Sequence, residues 1–136
     1  MVKFSDIEDA FFYVSSDQPF MNEAIVNRKT GKTYYKSELS GNNDFPKEMN
    51  HQDYLDIPHK NDLDLGNNLV SDFTVEIIPE HSATIERIFR QRGAYRRFKD
   101  FLNSIGKLDA WYKFENEKTK NALRQWCNDN NLEITE

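Results

Sequence analysis

A chain of 136 residues is long enough for one domain with one core, burying about two-thirds of the surface its unfolded form exposes. Its 30% charged residues and mean hydropathy of −0.83 exclude a membrane-embedded protein, and no apolar run approaches the roughly 18 needed to span a bilayer. The 13% of aromatic residues exclude a disordered chain, since they supply few but large core side chains.

The formal net charge of −5 conceals an asymmetry. Residues 1–80 carry 7 Lys and Arg against 15 Asp and Glu, whereas residues 81–136 carry 11 against 8. Either the C-terminal part faces an acidic partner, or the two halves neutralise one another within the fold.

Phe4 to Ser15 reads as a helix, with Ser5 as N-cap, Glu8 completing a capping box, and Ile7, Ala10, Phe11 and Val14 at helical spacing. Acidic residues at Asp6 and Glu8 stand where a signal peptide would continue apolar, so export is not expected. Ala24-Ile25-Val26 and Thr33-Tyr34-Tyr35 flank a turn containing Gly31, the pattern of a β-hairpin. Residues 40–53 are polar and rich in turn formers, and read as a loop. Tyr54-Leu55-Asp56-Ile57 alternates briefly before Pro58 and predicts a third strand at a sheet edge.

From Asp62 the period changes to that of a helix. Leu65, Leu69, Phe73 and Ile77 recur every four residues, which predicts a helix with Gly66 inside it, closed by Pro79. Ser82 is the expected cap of the next helix, with Ile85, Ile88 and Phe89 as its apolar face and Gly93 as its terminator. A further helix is expected from Ala94, with Tyr95, Phe98, Leu102 and Ile105 inward and Gly106 at its end. The longest helix starts near Leu108 and carries Trp111, Tyr112, Thr119, Ala122, Leu123 and Trp126 on one side. The tail Leu132-Glu133-Ile134-Thr135 is short enough for an edge strand only. These elements predict an α+β fold of one domain, residues 1–136, with a small antiparallel sheet (the N-terminal hairpin plus a third strand) packed against a C-terminal set of helices.

Residues that could carry chemistry concentrate in one place. Arg87, Arg90, Arg92, Arg96, Arg97 and Lys99 fall within thirteen positions, with no acidic residue among them. Arginine presents a planar fork of donors suited to phosphate and carboxylate and stacks on aromatic faces. Three readings of the cluster stand open: internal packing and ion pairing (Arg96 with Asp100, for example), a protein partner, or nucleic acid. Trp111, Tyr112, Phe114, Tyr95 and Phe98 lie close by in sequence and could stack bases, but spacings of three and four assign most of them to the core. Phe114 falls off that stripe and is expected at the surface. The candidate binding residues are therefore Arg92, Arg96, Arg97, Lys99 and Phe114.

Catalytic and metal signatures are weak. His51, His59 and His81 are scattered, and Asp62-Leu63-Asp64 begins like a calcium loop without the ligands that should follow. Cys127, the lone cysteine, has no neighbouring histidine and no disulfide partner, which suits a buried thiol in the cytoplasm. No cofactor, metal site or catalytic residue is expected, and an enzyme acting on an anionic substrate through dispersed Asp, Glu and Arg is the remaining alternative. An exposed edge at Tyr54 to Ile57 would allow dimerisation by strand pairing.

The run Arg92-Gly93-Ala94-Tyr95-Arg96-Arg97-Phe98-Lys99-Asp100, then Trp111-Tyr112-Lys113-Phe114 and Ala122-Leu123-Arg124-Gln125-Trp126, resembles the signature of an uncharacterised bacterial family, UPF0158. The N-terminal helix, the Thr-Gly turn and Tyr54-Leu55-Asp56-Ile57-Pro58 are similar to it as well. Tyr95 departs from the phenylalanine expected there, and the loop from Ser40 to Asp53 is particular to this chain. The resemblance implies a small bacterial cytosolic α+β protein and makes Arg96, Arg97 and Lys99 family-like positions. It carries over no catalytic residue. Together these readings favour a non-catalytic binding or regulatory module, working through the surface from Gly93 to Lys99.

Overall fold

Helix-period stripes and short β-branched runs resolve into ten elements in a computed structural model, which describes the backbone of residues 1–136 and every side chain except that of Asn67. In chain order these are β1 (Val2–Lys3), α1 (Phe4–Ser15), β2 (Asn22–Asn27), β3 (Thr33–Ser37), β4 (Tyr54–Asp56), α2 (Asn67–Ile77), α3 (Ser82–Ile88), α4 (Ala94–Ser104), α5 (Leu108–Asp129) and β5 (Ile134–Thr135). The fold is α+β. Its contacts divide the chain into two compact units, Met1–Leu63 with Lys120–Glu136, and Asp64–Thr119.

The first unit is built on a three-stranded antiparallel sheet in the order β3-β2-β4. Central strand β2 pairs Ile25 with Tyr34 on one side and with Asp56 on the other, and it buries Ala24, Ile25 and Val26. The third strand ends before Pro58 and lies at an edge, where a residue without an N–H leaves no ladder bond unmade. Helix α1 lies against β2 and β3 and buries Phe4, Ile7, Ala10, Phe11 and Val14, the stripe its spacing predicts. Ser5 does not cap it: α1 begins at Phe4, so Ser5 falls inside the first turn and Lys3 takes the cap position without a side-chain bond. Burial of Phe4 fixes this start, with the Arg124 guanidinium 4.4 Å from its ring centre.

The hairpin turn closes through Asn27, whose Oδ1 accepts from the N–H groups of Lys29 at 2.8 Å and Thr30 at 3.1 Å. Gly31 then adopts φ +76° and passes so close to Met1 that an added Cβ would stand 3.0 Å from the Met1 carbonyl oxygen. Residues after β3 fold back on it, with Asp44 N–H bonded to the Tyr35 carbonyl at 2.9 Å. The tail forms a strand as expected, but its partner is the N-terminus: β5 pairs in parallel with β1, Val2 opposite Ile134.

The second unit is helical. Phe73, Phe98 and Trp111 meet edge to face, with ring centres 5.0 to 6.4 Å apart, and Leu69, Val70, Ile78, Ile85 and Leu102 join them in the buried cluster. Gly66 is not interior to α2 as the spacing suggests. It occupies the cap position before Asn67, so the helix carries no interior glycine penalty. Ser82 is the first residue of α3 rather than its cap, and its hydroxyl donates back to the Pro79 carbonyl at 2.8 Å. Helix α3 stops at Ile88, and Gly93 instead introduces α4. Gly106 ends α4 as predicted, with φ +73° and Lys107 N–H bonded to the Leu102 carbonyl at 2.8 Å.

Candidate functional site

Helix α4 is held by two side chains. Phe98 and Leu102, four apart, are fully buried, and that choice of inner face decides where every other residue of the helix points. Successive residues turn by about 100°, so Arg96, Arg97 and Asp100 come together on an outer face. Gly93, with φ +66° and ψ +31°, swings the preceding segment round so that Arg92 joins them. The four side chains and the bare Gly93 backbone line a cavity of about 320 Å³.

The arginines are available. Arg92, Arg96 and Arg97 are exposed, and none of Arg87, Arg90, Arg92, Arg96 and Arg97 is in an ion pair among the described residues. Arg96 and Asp100 share a face without forming the pair their spacing suggests. The order of the two charges is the weaker one on a helix, which removes part of the incentive. Arg97 is oriented by the backbone before Gly93: its Nε–H donates to the Arg92 carbonyl at 3.0 Å, and among the described residues neither terminal nitrogen has a protein partner. Gly93 offers no side-chain acceptor to the first N–H groups of α4, so the positive end of the helix dipole stays uncapped at the same place.

Two candidates lie elsewhere. Lys99 does not line the cavity; its Nζ rests 4.8 Å above the Tyr95 ring. Phe114 is not the exposed aromatic its position suggests. It packs against the core, 5.3 Å from Phe73 between ring centres, with the Lys118 ammonium 5.2 Å away. Three residues after Trp111, Phe114 lies on the neighbouring part of the same helix face, half-buried with its ring centre 6.5 Å from that of Trp111.

Tyr95 leaves the predicted apolar face and is 43% exposed. Its hydroxyl donates to Glu115 Oε2 at 3.0 Å, and burial followed by the Glu115 charge pushes the phenol up to about 12. That contact spans 20 residues, and nothing in the local sequence announces it. Trp111 is fully buried with no hydrogen-bond partner for its indole N–H among the described residues. Of the five aromatics that could stack bases, Phe98 and Trp111 are in the core and Phe114 is half-buried against it, while Tyr95 and Tyr112 stay exposed.

Two other concavities have different chemistry. One of about 310 Å³ runs along Val70, Thr74, Val75, Ile85 and Phe89 and is largely apolar. The other, of about 390 Å³, is polar and surrounds His59, a residue the sequence leaves in a loop. His59 is buried, and its Nδ1 accepts from the Asn61 N–H at 3.0 Å. Its Nε2 therefore carries the proton and donates to the Asp17 carbonyl at 2.7 Å, so both ring nitrogens are engaged and Nε2 ties two loops together. Among the described residues no three His, Cys, Asp or Glu side chains gather as metal ligands, and no helix is long and apolar enough to cross a membrane.

The fold is that of an α+β protein with an open arginine-lined cavity at the start of α4. Residues 26–136 match the profile of the Uncharacterised protein family (UPF0158), and the chain belongs to that family. No curated protein and no solved structure matches it.

Proposed function

We propose that this protein is a non-catalytic binding module that grips an anionic group of its partner in the cavity of Arg92, Arg96 and Arg97. One observation carries this reading: three exposed guanidinium groups, none in an ion pair among the described residues, line a single concavity. Convergent unpaired arginines repel one another and raise the free energy of the empty site, so a bound anion gains from relieving them. Lys99 adds positive charge beside the cavity, although it is turned onto Tyr95. The buried lone cysteine, Cys127, and the family together support a bacterial cytoplasmic setting.

Nucleic acid is the alternative partner, favoured by six basic residues within thirteen positions and opposed by the overall charge of −5. The test is retention on phosphocellulose at low salt, comparing the protein with Arg92→Ala/Arg96→Ala/Arg97→Ala. Retention that is lost in the triple variant, with an unchanged circular dichroism spectrum, is the expected result. Equal elution of the two proteins would sink the reading. A nucleic-acid partner would add a steep log–log salt dependence on oligonucleotides, with a slope of about −0.7 to −0.9 per neutralised phosphate.

A further inference from the structure

We infer that the arginine cavity takes a sugar phosphate monoester, with the guanidinium groups on the phosphoryl oxygens and the Asp100 carboxylate on a sugar hydroxyl. The inference rests on the binding-module reading above and names the ligand of that same site.

Charge comes first. Arg92, Arg96, Arg97 and Asp100 line the cavity, a net of two positive charges. A phosphate monoester carries about −1.5 to −2 at neutral pH and neutralises that surplus, whereas a carboxylate or a backbone phosphodiester leaves half of it unmatched. Donor geometry points the same way. A carboxylate has two oxygens and is satisfied by one guanidinium fork, while a phosphomonoester presents three terminal oxygens to several forks at once. Arg97 arrives with its plane tethered through Nε and its terminal nitrogens free, which lowers the entropy lost on binding.

Asp100 decides the rest of the ligand. At neutral pH a carboxylate only accepts hydrogen bonds, and this one is exposed, lines the cavity and has no ion-pair partner among the described residues. A bare anion would be repelled by it. A ligand whose phosphate has a hydroxyl close by turns that repulsion into a charge-assisted hydrogen bond. The remaining lining is the Gly93 backbone, with no aromatic or aliphatic wall. Among the lining residues only an arginine plane could take a nucleobase, so recognition centres on sugar and phosphate, whether the sugar phosphate is free or part of a mononucleotide. A volume of about 320 Å³ exceeds what bare phosphate needs and falls at the small end of ligand sites.

The test is titration calorimetry and amide NMR with inorganic phosphate, ribose 5-phosphate, adenosine 5′-monophosphate, an unphosphorylated oligoribonucleotide and an acidic peptide. Ribose 5-phosphate is expected to bind at least about tenfold tighter than inorganic phosphate, with shifts at Gly93 to Arg97. Arg96→Ala/Arg97→Ala should lose binding. Asp100→Ala should strengthen inorganic phosphate binding while erasing the preference for the sugar phosphate, a change that a general folding defect would not produce. A free sugar phosphate as the natural source predicts no gain from adenine, and a mononucleotide source predicts tighter binding of the adenylate. Equal, weak binding of both phosphates, or binding of the oligonucleotide or peptide alone, overturns the ligand assignment. If the phosphocellulose retention survives in that case, only the ligand class falls; if it is absent too, the binding-module reading falls with it.

Discussion

Gly31 and Gly93 hold nearly the same left-handed backbone, φ +76° and φ +66°, in different surroundings. A Cβ on Gly93 would meet nothing within 4 Å, while one on Gly31 would stand 3.0 Å from the Met1 carbonyl oxygen and 3.4 Å from the Val2 Cα. Gly93→Ala therefore incurs only the left-handed penalty of an L-residue, about 1–2 kcal/mol. Stiffening of the unfolded chain offsets about 0.4–1 kcal/mol of that. The expected loss is about 1 kcal/mol. Gly31→Ala adds an overlap with backbone atoms, comparable to overpacking at about 1–3 kcal/mol, for a total of about 2–4 kcal/mol. With a urea slope of about 1–3 kcal/mol per molar, the two midpoints should differ by about 1 M. A local readout separates strain from general weakening. The Val2 N–H, bonded to the Glu133 carbonyl at 3.1 Å, should exchange faster in Gly31→Ala and unchanged in Gly93→Ala. Equal midpoints, or a Val2 amide that stays protected in Gly31→Ala, would show that the terminal strand yields freely and would refute the reasoning.

Two further predictions concern the cores. Phe98→Ala removes a fully buried ring that meets Phe73, Phe89 and Trp111, and should cost about 3–5 kcal/mol in denaturant unfolding; a loss below about 1 kcal/mol would mean that α4 is not anchored as described. Burial lifts the Cys127 thiol from 9.0 up to about 11, so the folded protein keeps a proton that the unfolded chain releases. Its contribution to stability is intact below pH 9 and is lost as the pH rises through about 11. The difference in urea midpoint between the protein and Cys127→Ala should shrink over that window, and native Cys127 should resist iodoacetamide at pH 8; a constant difference with rapid alkylation would contradict both.

Helix α1, the hairpin and the edge strand before Pro58 were legible because each announces itself over a few residues, through a 3.6 period, a glycine turn or a missing N–H. Boundaries were less legible. Ser5, Gly66 and Ser82 all have good capping chemistry, yet Phe4 buries one residue earlier than Ser5 allows, Gly66 closes a loop before α2, and a short helical turn at Pro79–His81 pre-empts Ser82. Strand β1 was invisible, since two residues carry no period and its partner lies at the opposite end of the chain.

The site divides in the same way. Composition and spacing alone placed six basic residues together and put Phe98 inward, because both are local properties of a helical stretch. Which arginines converge was a tertiary decision. Burial of Phe98 and Leu102 set the rotation of α4, and the left-handed Gly93 brought Arg92 round to Arg96 and Arg97. That rotation left Lys99 on Tyr95, and contacts with Phe73 and Trp111 drew Phe114 against the core. Charge content is written residue by residue, but whether a charge is paired, covered or open depends on which neighbours the packed core brings within reach, and that is a property of the folded chain alone.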